Sequence, residues 1–151
     1  MRTRLRLALA GALAFAACGG GQDGGLPRGR VVIQGQTLAV EVARTSATRE
    51  QGLSGRASLE PGTGMLFIHS EPEILGYWMK DMNFAIDILW LHAGRIVDIS
   101  HRVPPPATPD ADLPTYGPRV AADAVLELPA GYARAHGFDR GQRVTIELDE
   151  P

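Results

Sequence analysis

From Val31 onward the apolar residues arrive in short runs, and nearly every run is closed by glycine or proline before it reaches helical length. That pattern suits strands and leaves little room for long helices. Val31-Val32-Ile33, a turn at Gly35 and Thr37–Val42 read as an opening hairpin, with Leu38, Val40 and Val42 on one side and Ala39 and Glu41 on the other. Met65–Ile68 is a buried strand after a Pro61-Gly62 turn. Tyr77–Phe84 alternates, which in an extended chain puts Trp78, Lys80, Met82 and Phe84 on one face. Ile86–His92, a turn at Ala93-Gly94, and Arg95–Ser100 form the clearest hairpin. Val125–Leu128 and Arg143–Leu148 supply two more strands. Two helices are expected. One covers Ala47–Leu53, capped by Thr45 and stopped by Gly52 and Gly55. The other covers Ala130–His136 and is closed by Gly137. Six of the eleven prolines fall within residues 103–118, which excludes a helix or a central strand there. A loop of that length is either an ordered lid or rim, or plain disorder. The sum is a mainly β (α+β) domain of about seven short strands and two small helices without βαβ units. Its sheet is predicted to be compact, mainly antiparallel, and barrel-like or sandwich-like.

The N-terminus reads as an address. Arg2, Arg4 and Arg6 precede an uncharged run of eleven residues, Leu7–Ala17. A membrane span needs about 20, whereas a signal-peptide core needs about this many. The run ends in Phe15-Ala16-Ala17-Cys18, which resembles a bacterial lipobox with Phe in place of the usual Leu, and the cysteine is the chain's only one. Residues 1–17 are therefore expected to be a signal peptide, and Cys18 a lipidated mature N-terminus. The alternatives are ordinary cleavage after Ala14-x-Ala16, releasing a soluble protein, or an incidental cysteine. Residues 19–30 hold six glycines and almost nothing apolar, the composition of a flexible tether. Residues 18–30 thus become anchor and tether, and 31–151 a single globular domain. Glycine after Cys18, by resemblance to Gram-negative lipoproteins, directs the protein to the outer membrane, with the domain on the periplasmic side.

Charge and motif exclude several classes. With the three early arginines removed, 12 basic residues face 17 acidic ones, so no basic patch is left for nucleic acid. No Cys/His spacing suits zinc, and there is no phosphate-binding glycine loop, nucleophile elbow or H-E-x-x-H helix. No cofactor is expected. The expected partners are the bilayer, through acylated Cys18, and an unidentified small ligand or envelope protein.

Several blocks then fall in a fixed order: Gly52-Leu53 with Arg56, Gly64-Met65-Leu66-Phe67, Tyr77-Trp78-Met79-Lys80-Asp81-Met82, Ile86-Asp87-Ile88, and Val125-Leu126-Glu127-Leu128-Pro129-Ala130-Gly131. Together they resemble the domain-of-unknown-function family 192, over about residues 38–148. The resemblance implies a compact, mainly β fold with small helices and carries no activity with it. Members of that family often have a Pro-Cys step in the proline-rich loop. This chain has Pro104-Pro105-Pro106-Ala107 instead, which excludes a thiol-based function.

Candidate site residues follow from chemistry. Trp78 and Lys80 offer a stacking wall and a charged anchor, unless the strand simply fills core and Lys80 snorkels out. Asp87 lies between branched aliphatic residues and must be compensated, with Arg56 and Lys80 as the available cations. The ligand-binding set is thus Arg56, Trp78, Lys80 and Asp87, with no catalytic or metal residue assigned. The leading function is a non-enzymatic envelope module that binds a small ligand or a protein partner. An alternative is a hydrolase that uses Asp87 with Arg56 or His101. A minor one is copper binding by Met65, Met79, Met82, His69, His92 and His101, opposed by Met79 and Met82 pointing to opposite faces of a strand.

Overall fold

The computed structural model describes residues 25–108 and 111–149. The expectations for the signal peptide and for Cys18 lie outside those residues. Strands β1 (Arg28–Ile33) and β2 (Gln36–Ala43) form the expected hairpin. The first strand starts three residues before Val31, because Arg28, Gly29 and Arg30 also pair with β2. Helix α1 (Ser46–Gln51) is capped by Thr45. Thr48 N donates to the Thr45 hydroxyl at 3.1 Å, while Thr45 N donates back to the Thr48 hydroxyl at 3.0 Å. This reciprocal cap satisfies two amides that a short helix would otherwise leave open.

Strands β3 (Thr63–Glu73), β4 (Ile86–His92), β5 (Arg95–Val103) and β6 (Ala122–Pro129), helix α2 (Tyr132–Ala135) and strand β7 (Val144–Leu148) complete the chain. The seven strands form one sheet in the order β5-β4-β6-β3-β2-β1-β7. The fold is mainly β, with one curled sheet rather than a two-sheet sandwich. Its two edges meet at one end through an Arg95↔Arg143 bridge, with Val144 N donating to Gly94 O at 2.8 Å. Two details differ from expectation. Strands β2 and β3 run parallel, and the link between them carries α1, so one βαβ unit is present after all. A parallel neighbour requires a crossover rather than a tight turn, and residues 44–62 supply it.

Alternation along the strands divides the interior in two. The inner face collects Val31, Leu38, Leu66, Leu89, Ile96, Leu126 and Val144, one from each strand, and α2 closes it with Ala133. The outer face carries Met65, Phe67, Ile86, Ile88, Trp90 and Val125. It is covered by Leu53 after α1 and by Leu75, Met79 and Met82 from the β3–β4 connection. Gly64 is required at the sheet's centre, since a Cβ there would come within 2.7 Å of the Glu127 carbonyl oxygen.

The expected strand Tyr77–Phe84 is not a strand. Tyr77 makes a bridge to Tyr116 in the proline-rich segment, and the chain then turns, with Met82 N donating to Met79 O at 3.2 Å. Asp81 sits at φ 56°, a left-handed conformation that aspartate tolerates better than most residues. Gly55 N donates to Asp81 O at 2.8 Å and the Ser54 hydroxyl to Lys80 O at 2.8 Å, which pins this loop to the end of α1. The proline-rich segment is tied down by Asp98 of β5. Its carboxylate accepts from Arg119 N, Nε and Nη2 at 3.0–3.1 Å, and the guanidinium holds it low, at about 2.

Candidate functional site

The expected cluster of Arg56, Lys80 and Asp87 does not assemble. Ile86 and Ile88 belong to the outer face, so alternation sends Asp87 to the inner face, where it is fully buried. Its compensation comes from backbone amides rather than a cation. Oδ1 accepts from Arg102 N at 2.8 Å and Oδ2 from Ala133 N at 2.9 Å. Asp87 therefore caps α2 from a distant strand, a task Gly131 at the N-cap cannot perform without a side chain. Arg56 pairs with Glu41 instead. Lys80 is exposed, with its ammonium 6.0 Å from the centre of the Trp78 ring. A hydrolase built on Asp87 with Arg56 or His101 loses its geometry, because Asp87 is saturated and His101 is exposed. The Ser100 hydroxyl, partly buried, accepts from Trp90 Nε1 at 3.1 Å.

What the outer face does assemble is a pocket of about 230 Å³. Its exposed lining residues, Glu50, Gln51, Gly76 and Trp78, form the rim, and its buried ones, Leu53, Phe67, Met79, Met82 and Glu127, the floor. Trp78, at 52 % exposure, is the one expected ligand-binding residue that lines it.

Glu127 is the unexpected member. It lies on central strand β6, directly opposite Met65 of β3 and Ile88 of β4, and is 6 % exposed. Among the described residues its carboxyl has neither a hydrogen-bond partner nor an ion pair. Burial alone pushes it up to about 8, so at neutral pH it carries a proton. Beside it, Tyr77 stands edge-on to Phe67 and Trp90, with ring centres 5.3 and 5.4 Å away, and its hydroxyl hydrogen-bonds His69 Nε2 at 2.9 Å. Burial raises the Tyr77 phenol, with a smaller contribution from Glu127. Burial, then the nearby Arg49 charge, lowers His69, which is therefore neutral. Arg49 lines the same pocket, but its Nη1 donates to the Ile68 carbonyl at 3.1 Å and also to that of Arg44.

The sulfur atoms arrange themselves differently from the sequence expectation. The turn at Lys80-Asp81 brings Met79 and Met82 to the same side, both in the pocket with His69. His69 spends Nε2 on Tyr77, however, and no group of three or more His, Cys, Asp or Glu among the described residues is placed to hold a metal ion. His92 is engaged elsewhere, with Nδ1 2.8 Å from Asp123.

Glu127 had a visible signal: an acid within the apolar run Val125–Leu128, the same anomaly that drew attention to Asp87. His69 gave a weaker one, as the first polar residue after Met65–Ile68.

Fold and site define a class: a curled mixed-sheet domain with an acid-floored, aromatic-walled pocket on its outer face. The chain belongs to the domain-of-unknown-function family 192, described as "Uncharacterized ACR", whose model matches residues 29–146. A protein of unknown function from Novosphingobium aromaticivorans has a similar structure, with a TM-score of 0.74 and 27 % identity over 83 % of this chain and 89 % of that one. A protein from Sinorhizobium meliloti, provisionally named a transcription regulator, is similar with a TM-score of 0.68 and 30 % identity, over 80 % of this chain and 92 % of that one. No curated protein matches the chain.

Proposed function

We propose that the domain is a non-enzymatic module of the cell envelope that binds a small molecule in the pocket floored by Glu127. One observation carries the reading: a buried carboxyl with no protein partner, directed into a cavity. Among the described residues no fully buried side-chain oxygen is left unpaired, so this carboxyl is open to the pocket and is met there by whatever fills it, solvent or ligand. The pocket's about 230 Å³ suits a ligand smaller than the occupants of typical drug-sized sites, which run to ~300–1,000 Å³. NMR titration of the ¹³C-labelled methionine and leucine methyls with a library of small polar fragments tests this, since the inner face carries leucines and no methionine. Binding must move the Met79 and Met82 methyls while leaving the inner face unperturbed. A library that never shifts them sinks the proposal.

The envelope location rests on the segment Leu7–Ala17 and on Cys18. Intact mass of the membrane-extracted protein checks it, with acyl mass on Cys18 expected and an unmodified soluble product refuting it.

A second reading has its own observation. Glu127 is held protonated while His69 is held neutral, the opposed pair that acid–base catalysis uses. Turnover of a bound fragment, abolished by both Glu127→Gln and His69→Asn, would move the domain from binder to enzyme.

A further inference from the structure

We infer that the ligand of the Glu127 pocket is an organic ammonium ion carrying small apolar substituents. The inference rests on the reading of that pocket as a binding site, and it supplies the chemistry of the occupant. The floor presents one carboxyl, Glu127, and among the described residues no cation pairs with it. The groups facing it from the surrounding elements are His69 of β3, Tyr77 of the following loop, and Arg49 and Glu50 of α1. His69 is neutral and engaged with Tyr77, and Arg49 donates Nη1 to two backbone carbonyls rather than to Glu127. Among the described residues the chain itself thus supplies no cation that would let this carboxyl ionise, and a cation entering from outside would do so.

The walls select which cation. Phe67, Tyr77 and Trp78 present aromatic surface, and Met79 and Met82 present polarisable thioethers. Aromatic faces attract alkylated ammonium ions, whose charge is spread over methyl or methylene groups that also favour apolar contact. Lys80, which lies outside the pocket lining, places its ammonium 6.0 Å from the centre of the Trp78 ring, within the range of a cation–aromatic attraction. Calcium or magnesium would need six or more oxygen ligands or a retained water shell, whereas the floor offers one carboxyl among thioethers and rings. An anion would face Glu127 at the floor and Glu50 at the rim. An ammonium ion entering the pocket takes the place of the carboxyl proton, so binding near neutral pH releases a proton to solvent.

Three probes of one shape and different charge test this on the intact protein: choline, the neutral 3,3-dimethylbutan-1-ol, and the anion 3,3-dimethylbutanoate. Titrations follow the Met79 and Met82 methyls by NMR, and calorimetry in buffers of different ionisation enthalpy counts protons. Choline is expected to bind at least about tenfold tighter than the alcohol, with the anion weakest. Proton release should be large at pH 7 and vanish by pH 9.5. Glu127→Gln, which keeps the side chain's shape, should erase both the preference and the release, and Trp78→Ala should weaken choline more than the alcohol. Equal binding of choline and the alcohol, or tighter binding of the anion, overturns the ammonium assignment and leaves the binding site standing. A choline preference that survives Glu127→Gln removes Glu127 as its counter-ion and overturns the assignment too. If none of the three moves the pocket methyls, both the assignment and the site fail.

Discussion

Replacing Glu127 with glutamine removes one ionisable proton from the middle of the sheet and changes almost nothing else in shape. The folded protein holds that proton up to about pH 8, against an ordinary value of 4.5. Below pH 4.5 the carboxyl is protonated whether the chain is folded or not, and it has no influence on the pH dependence of stability. Above 4.5 the unfolded chain ionises while the folded one does not, so folding is penalised progressively until the folded carboxyl also ionises near pH 8. At about 1.4 kcal/mol per tenfold change in proton affinity, the accumulated penalty is about 5 kcal/mol. Urea unfolding of the ligand-free protein and of Glu127→Gln between pH 4 and 9 measures it. The variant should gain on the parent steadily as pH rises and reach its full advantage near pH 8. The lowered His69 acts in the opposite sense, adding stability as pH rises towards 6.5, but it is common to both proteins and cancels in the difference. A difference that stays flat from pH 4 to 9 would refute the reasoning, because it would mean that Glu127 ionises in the folded protein as readily as in the unfolded one.

Asp87→Ala leaves two amides, those of Arg102 and Ala133, without an acceptor, and should cost about 2–5 kcal/mol in urea unfolding. An Asp87→Ala protein as stable as the parent would remove it as the distant cap of α2. The two tryptophans should separate cleanly in the same assay: Trp90→Ala, from a fully buried position, costs about 3–5 kcal/mol, whereas Trp78→Ala, half-exposed, costs under about 1 kcal/mol. Asp98, held at about 2 by Arg119, contributes stability that is complete above its ordinary 3.8 and fades as pH falls towards 2. Arg119→Ala should flatten that acid limb, and an unchanged acid limb would show the pair to be inert.

The strand pattern was legible because most of the elements are hairpins or short local units, whose signals are alternation and turn residues. Ala93-Gly94 is the plainest case, with both residues at positive φ, at 48° and 68°. Arg28–Arg30 was hidden because its partner strands, not its own composition, make it a strand. The segment Tyr77–Phe84 misled because alternation is only a necessary condition for a strand. Asp81 at positive φ breaks the extension, and neither Lys80 nor Asp81 announces that in sequence. Asp87 and Glu127 posed the same puzzle and received opposite solutions. The sequence offers cations as partners for Asp87, whereas the true partners are amides, one of them 46 residues away. Glu127 stands out between Leu126 and Leu128, but the strand alone does not show what covers its face. Only the folding of α1 and the Met79–Met82 turn over that face makes it interior. The site is a tertiary product, legible in its ingredients and not in its assembly.

The pairing of β1 has a consequence for the order in which the domain can be built. Gly29 lies opposite Leu148, so a strand made at the start of the domain waits for one made more than a hundred residues later. Until β7 arrives, β1 offers an unsatisfied row of amides and carbonyls along one side, the kind of edge to which other chains adhere. The Arg95↔Arg143 seam cannot close before then either. A ribosome adding about 5–20 residues each second leaves that edge open for roughly 5–20 s, and long-range pairing of this kind is slow to form even afterwards. During synthesis the domain therefore stays open to wrong pairing until its final strand is free. Removing β7 would damage the protein through the edge it leaves bare on β1 as well as through the contacts it takes away.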